Sequence, residues 1–556
     1  MTNDMRHIFT LFLCFFAVTL FAQEPAAFTF NHLDEPAVKA VQPFDQTELM
    51  DEAKRWEEDE GRTMNGKLRY MDFDMLEAAS FDVLWDGTQV WRLQFSSPGA
   101  MASCVYFDDF YIPEGASMYI YNSEKTYFEG PFGAEENNDH GRFMTNDIYG
   151  ENIIVEYQQP SFVTETPSFD VMAVGYLFRY AYNPIATERA GGGSQPCEVD
   201  VNCPEIEGWE AQKDGVVRLR ITDSGQQFLC SGSMVNTTAG DYRQYLLSAL
   251  HCADGVSDED LNFLQVRFNY ERPDDEPCGT GGFSASRNRV GVFRLADSGN
   301  CGQGLCGADF LLLEVEDDIP DAWTPFFNGW EADGSGSSSG KGIHHPAGDI
   351  KKVSTYTNPL QSIWLTDPGA HWEVEWSPTE TDHGVTEGGS SGSPIFNSNG
   401  LIVGILSAGF SACENGGAGA GTGPFESDYY GKFSHAWDED GNADNRRLDV
   451  WLDPNNTGQT GILGSYRDGT TGVVDAEKDL DIVVVPNPSN GVFFVRTKQY
   501  HSTDRIDLLD ANGRLIQSLN NVGPVEEFDI QELPAGVYFL RIEGQDKIST
   551  KQIVKI

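Results

Sequence analysis

Eight of the ten cysteines in this 556-residue chain fall between positions 197 and 413. Disulfides persist only in an oxidising compartment, so an even number packed into one segment predicts four bridges and an exported protein. The start of the chain agrees. Arg6 and His7 precede an apolar run from Ile8 to Ala22, followed by Gln23. That is the pattern of a cleaved leader, and it predicts that residues 1–22, with Cys14, are absent from the mature protein. No later run approaches the roughly 20 apolar residues of a spanning helix, so none is expected after the leader. Cys104 stands alone upstream of the cluster. No cysteine pair has zinc-type spacing with matching histidines, so neither a metal site nor another cofactor is expected.

The chain is longer than one core normally serves, and its 40% hydrophobic and 12% aromatic residues are enough to bury several. Three parts follow the leader. Residues 23–190 alternate apolar and polar positions, as in Val90–Phe95 and Met118–Tyr121, with turns at Pro98-Gly99 and Pro113-Glu114-Gly115. They predict a β-sandwich preceded by a short helix around Leu49 to Glu58. The strip Glu188 to Ser194 is glycine-rich and suited to proteolytic nicking. The cysteine-rich part spans 191–466. Residues 474–556 lack cysteine and carry 13 acidic and 9 basic side chains, a net of −4. The whole chain has a net charge of −49, so nearly all the acidity lies upstream. Such a charge excludes nucleic acid and anionic membranes as partners and favours basic peptides or cations.

Three islands in the cysteine-rich part carry chemistry. They are Leu246-Leu247-Ser248-Ala249-Leu250-His251-Cys252, Ala308-Asp309-Phe310-Leu311-Leu312-Leu313 and Gly388-Gly389-Ser390-Ser391-Gly392-Ser393-Pro394. Each sets a reactive residue beside a strand-like apolar run. A serine hydroxyl attacks only as its proton leaves, and a neutral histidine can take that proton. A buried carboxylate fixes the histidine tautomer and stabilises the imidazolium. The glycines around Ser391 allow a tight turn in which the Gly389 and Ser391 N–H groups form an oxyanion hole. Each island alone is a common string; the three together point to His251 as base, Asp309 as orienter and Ser391 as nucleophile.

The islands resemble the trypsin-like serine proteases, and within them the bacterial lysyl endopeptidases. Cys197 to Pro204, Cys230 to Asn236, Ile343-His344-His345-Pro346, Val385-Thr386-Glu387 and Trp451-Leu452-Asp453-Pro454 carry the likeness, which covers roughly residues 195–463. It implies two packed six-stranded β-barrels with the three residues between them. It also implies bridges Cys197–Cys413, Cys203–Cys278 and Cys230–Cys252. Cys301 and Cys306 have no counterpart in that pattern and are paired with each other by elimination.

Position 385, six residues before the nucleophile, is valine, so the aspartate that pancreatic-type enzymes use for basic substrates is missing. Ser427-Asp428-Tyr429-Tyr430-Gly431 matches the string that carries the acid in lysyl endopeptidases. The resemblance therefore implies Asp428 at the base of a pocket for a substrate ammonium, with Trp364 as an aromatic wall. Ser407 stands where lysyl endopeptidases have a stacking histidine. It resembles instead the trypsin-like serine that bonds the triad aspartate, which leaves Lys-only and Lys/Arg specificity both open. Ser390 offers no charge for an inserted N-terminal amine. The first part resembles a propeptide that blocks the cleft or assists folding and is cut off near Arg189.

From Ile482 onward, seven short strands and turns such as Pro486-Asn487-Pro488-Ser489-Asn490-Gly491 predict a small immunoglobulin-like sandwich. Asp510-Ala511-Asn512-Gly513, Leu533-Pro534-Ala535-Gly536-Val537-Tyr538 and the terminal Lys551–Ile556 resemble the sorting domains of type IX secretion cargo. The expectation is an all-β, monomeric, secreted or cell-surface serine endopeptidase acting on proteins or peptides and handled by the type IX machinery. The alternative is a protease-shaped adhesin without activity.

Overall fold

The computed structural model describes residues 24–179, 193–280, 286–299, 307–413 and 423–467. Of the last part it describes 482–485, 491–497, 503–510, 514–522, 525–531, 533–534, 536–544 and 547–555. The leader, the cut near Arg189 and the Cys301–Cys306 pair lie outside these residues. The chain is all-β, with strands dominating and helices few.

The longest helix among the described residues, Gln46–Glu60, starts where the Asp45 carboxylate accepts from Thr47 and Glu48 N–H, and stops at Gly61 with φ 67°. It is longer at both ends than the sequence suggested. Its buried residues Leu49 and Ala53 lie one turn apart, so one face packs inward.

The first part builds two sheets. One has six strands, with Gln89–Ser96, Asn152–Gln159 and Ser117–Asn122 at its centre. The other joins Thr63–Asp74, Ser168–Leu177 and Ala102–Tyr111, and it does not end there. Thr63–Asp74 also pairs antiparallel with Gln226–Met234 of the cysteine-rich part, making one continuous 12-stranded sheet. The first part is therefore a sandwich whose edge strand is shared with its neighbour.

Charges seal the seam. Arg220 pairs with Asp147, Arg267 with Glu129 at 3.0 Å, and Arg62 with Asp223 at 2.7 Å. Gln227 donates to Tyr106 Oη at 2.6 Å, and that hydroxyl meets Thr222 at 2.9 Å. Arg220 is completely buried and needs such a partner, because an unpaired interior charge is strongly unfavourable. Cys104 is free and buried in the same seam, 3.7 Å from Arg220 Nη1.

Within the cysteine-rich part, strands Val216–Asp223, Gln226–Met234, Tyr245–Ala249, Phe310–Val315 and Val292–Asp297 form one connected set, with Gln265–Phe268 beside the first. A second, 10-stranded sheet contains Gly340–His344, Pro394–Asn397, Ile402–Gly409, Asp428–Lys432 and His371–Val374. Disulfides join Cys197 to Cys413, Cys203 to Cys278 and Cys230 to Cys252, with Cα separations of 5.5, 4.4 and 6.3 Å. Asp453 fixes the following turn by accepting from Thr238 Oγ1 at 2.6 Å, Thr457 Oγ1 at 2.9 Å and Gly458 N–H at 2.9 Å.

Among its described residues the last part has a three-stranded and a four-stranded sheet. Phe493, Val495, Ile506, Leu508, Phe528 and Leu540 form its core.

Candidate active site

One ladder brings histidine and aspartate together. Tyr245–Ala249 pairs antiparallel with Phe310–Val315, placing Ala249 opposite Phe310. His251 lies two residues past the end of the first strand and Asp309 one residue before the start of the second, so both sit at the same end of the ladder. Asp309 has φ 53°, a left-handed backbone that turns its carboxylate back towards the histidine. Asp309 Oδ2 lies 2.7 Å from His251 Nδ1, and Oδ1 accepts the His251 backbone N–H at 3.0 Å. The ring proton is thus held on Nδ1, leaving Nε2 available as a base. Asp309 is 1% exposed and His251 8%.

The serine loop is fixed on the same side. Ser231 N–H donates to the Ser391 carbonyl at 2.8 Å, and Ser231 Oγ donates to the Gly389 carbonyl at 3.0 Å. A Cβ on Gly392 would collide with Ser248 Oγ and lie 2.9 Å from Ala249 N, so the loop sits directly against the strand that leads to His251. Ser391 itself is half-buried. Among the described residues its hydroxyl makes no hydrogen bond, and such contacts commonly tighten only when substrate binds. Gly389 has φ +95°, which favours glycine. Ser390, Gly392 and Ser393 spend their N–H groups on Glu387, Leu406 and Ser390 carbonyls. The N–H groups of Gly389 and Ser391 donate to nothing among the described residues, the condition an oxyanion hole requires.

Ser390 is neutral, and a neutral network holds it. Its hydroxyl accepts from Glu387 N–H at 3.2 Å and lies 2.8 Å from His344 Nδ1. His344 Nε2 meets Ser354 Oγ at 3.0 Å, and Ser354 donates to the Val385 carbonyl at 2.7 Å. Burial, aided by Lys352, pushes His344 down to about 3, so it stays uncharged. The sequence showed the His344-His345 pair as a matching string but not this role.

Asp428 is fully buried beneath the loop. Its Oδ1 accepts Phe410 and Ser411 N–H, both at 3.0 Å. Its Oδ2 accepts Trp376 Nε1 at 2.6 Å, Thr386 Oγ1 at 2.7 Å and Ser411 Oγ at 2.7 Å. Burial raises its pKa above the ordinary carboxylate value, and the donors from Ser411, Trp376 and Thr386 oppose the rise. No cation pairs with it among the described residues. A Cβ on Gly409 would strike Asp428 Oδ1, so only glycine lets this strand pass so close to the carboxylate. Gly409, Thr386, Ser411 and Trp376 were not anticipated; the glycine ending the apolar run Ile402–Gly409 was the one available signal.

Two expectations are placed differently. Ser407 Oγ meets the Ile405 carbonyl at 3.5 Å and makes no bond to Asp309, whose oxygens are engaged by His251. Trp364 is 72% exposed, and its Nε1 donates to the Thr366 carbonyl at 2.9 Å. Among the described residues no group of three or more histidine, cysteine or acidic side chains could hold a metal ion.

This all-β chain is similar in its cysteine-rich part to serine proteases, and its last part matches a C-terminal sorting domain. Residues 191–431 match the family described as lysyl endopeptidase, C-terminal domain, and residues 483–556 match the secretion system C-terminal sorting domain. The lysyl endopeptidase of Pseudomonas aeruginosa is 27% identical over 340 residues, covering 59% of this chain and 68% of that protein. The crystal structure of a thermostable serine protease from an extremophilic microorganism aligns with 40% of this chain and 92% of its own, at 12% identity and a TM-score of 0.28. The sorting domain marks the protein for export to the cell surface or the medium. Among the described residues no helix is long and apolar enough to cross a membrane.

Proposed function

We propose that the protein is a secreted endopeptidase that cleaves after lysine alone or after lysine and arginine, through Ser391, His251 and Asp309. The observation that carries this reading is the 2.7 Å contact of His251 with Asp309 beside a serine loop whose Gly389 and Ser391 N–H groups are free. Ser391 Oγ attacks the scissile carbonyl carbon as His251 Nε2 takes its proton. The carbonyl oxygen gains the negative charge, and the two N–H groups stabilise it. The tetrahedral intermediate collapses, the C–N bond breaks, and His251 passes the proton to the leaving amine. Water then repeats the sequence on the acyl-enzyme, and Ser391 regains its proton. The buried carboxylate of Asp428, saturated with neutral donors and lacking a cation, supports selection of a substrate ammonium.

Residues 23–190 act as a propeptide removed near Arg189. Residues 191–466 form the mature protease, and 474–556 the sorting domain read by the type IX machinery. A lysyl diphenyl phosphonate, followed by mass mapping, tests the mechanism: labelling at Ser391, abolished in Ser391→Ala, is expected. Absence of labelling in processed protein returns the protease-shaped adhesin. Cleavage-site profiling on a peptide library separates lysine from lysine plus arginine.

A further inference from the structure

Asp309 keeps a left-handed backbone, φ 53°, which is uncommon outside glycine and persists only where the surroundings enforce it. The residues on either side of it show what does so. Ala308 N–H donates to both oxygens of Asp440, at 3.0 and 3.3 Å. Phe310 N–H donates to Ser298 Oγ at 2.8 Å, and that hydroxyl donates to Asp440 Oδ2 at 2.7 Å. One carboxylate therefore holds both flanks of the turn, one directly and one through a serine.

The chain around Asp440 is shaped for this contact. Strand Asp428–Lys432, which begins at the proposed ammonium partner, runs straight into the short helix Phe433–Asp438, and Asp440 lies just beyond it. A Cβ on Gly431 would strike the Ala308 carbonyl, and a Cβ on Gly307 would strike Asp440 Oδ1. Glycine at both positions lets this segment close on Ala308 from its carbonyl side and from its N–H side. The Asp440 side chain is completely buried, and His435 Nε2 lies 3.1 Å from its Oδ1. His435 Nδ1 faces Glu439 at 3.1 Å. The hydrogen bond from Asp440 raises His435 above its ordinary pKa, so the ring serves as the partner a buried carboxylate needs. Both residues lie beyond position 431, where the family match ends.

We infer that Asp440 is a positioning residue for catalysis: with Ser298 and His435 it fixes the turn that aims the Asp309 carboxylate at His251 Nδ1. The inference rests on the hydrolase reading above. Asp440 touches neither substrate nor His251. Its effect passes through the Asp309 backbone, where a displacement of about 1 Å costs about 100-fold in rate.

The test measures kcat and KM on a lysyl peptide for the natural protein, Asp440→Ala, Asp440→Asn and Ser298→Ala. Rates are divided by the folded fraction from near-ultraviolet circular dichroism. Asp440→Ala is expected to lower kcat about 100-fold with KM within about threefold. Asp440→Asn keeps an oxygen for Ala308 N–H and should lose only about tenfold. Ser298→Ala leaves Asp440 in place but cuts the relay to Phe310, and should also lose about tenfold, which keeps the test open if Asp440→Ala does not fold. The strongly deshielded proton signal of His251 Nδ1–H against Asp309 reads the alignment directly. It should move or broaden in the order of the kcat losses. Unchanged kcat in both Asp440→Asn and Ser298→Ala overturns the inference, as does a fall in kcat that leaves the His251 signal in place. If the phosphonate fails to label Ser391 in the natural protein, the hydrolase reading fails instead.

Discussion

Asp428→Asn separates charge from shape at the carboxylate proposed to receive the substrate ammonium. The carboxylate now accepts two backbone N–H groups on one oxygen and Trp376, Thr386 and Ser411 on the other. Hydroxyls can rotate to accept from an amide, but the indole and backbone N–H groups cannot. An asparagine therefore leaves either Trp376 Nε1 or two backbone donors facing its NH2, a cost of about 1–3 kcal/mol in stability. The larger effect falls on substrate. Loss of a desolvated charge partner for a lysyl ammonium costs about 3 kcal/mol, or roughly 150-fold in kcat/KM. The assay uses matched peptides with lysine or norleucine before the cleaved bond. The lysine-to-norleucine ratio should fall by about two orders of magnitude, while norleucine cleavage changes little. In the natural protein that ratio should also fall with decreasing pH, because Asp428 protonates above the ordinary carboxylate range. The variant should show no such dependence. An unchanged ratio would refute the assignment of Asp428 to the substrate ammonium.

Ser391→Ala should lower kcat by about 10⁴–10⁶ while leaving the unfolding temperature in place; retention of more than a hundredth of the activity would remove Ser391 as nucleophile. Gly409→Val places methyl groups over Asp428 Oδ1 and should abolish cleavage after lysine, with phosphonate labelling slowed in parallel; unimpaired lysine cleavage would put the pocket elsewhere. Burial pushes Glu387 up to about 7, aided by Asp349 and opposed by the Gln195 N–H, Glu198 and Lys352. The folded state therefore holds the Glu387 proton more tightly than the unfolded chain does. Its stabilising effect is complete below the ordinary carboxylate range and is lost as pH rises through about 7. Glu387→Gln should flatten that part of the decline in thermal midpoint, and identical slopes in both proteins would sink the argument.

The reactive residues were legible because each abuts an apolar strand, and strands fix their neighbours. Ala249 pairs with Phe310, so His251 and Asp309 meet. The surroundings of Asp428 were not legible. Its donors sit at 376, 386, 410 and 411, and only the pairing of Val374 with Asp428 and of Gly409 with Asp428 collects them. The resemblance implied a bond from Ser407 to Asp309, but the Ser407 hydroxyl turns to the Ile405 carbonyl instead. For the first part, alternation correctly indicated strands. It could not say which sheet Thr63–Asp74 would join, because the partner edge lies more than 150 residues away in the chain.

Cys104 is the one free thiol among the described residues, and it is walled in by groups from both sides of the seam. Burial pushes it up to about 11, so at neutral pH it is both hidden and protonated. Removal of the first part, as proposed above, would unmask the sulfur, so its alkylation would time that step without any engineered label.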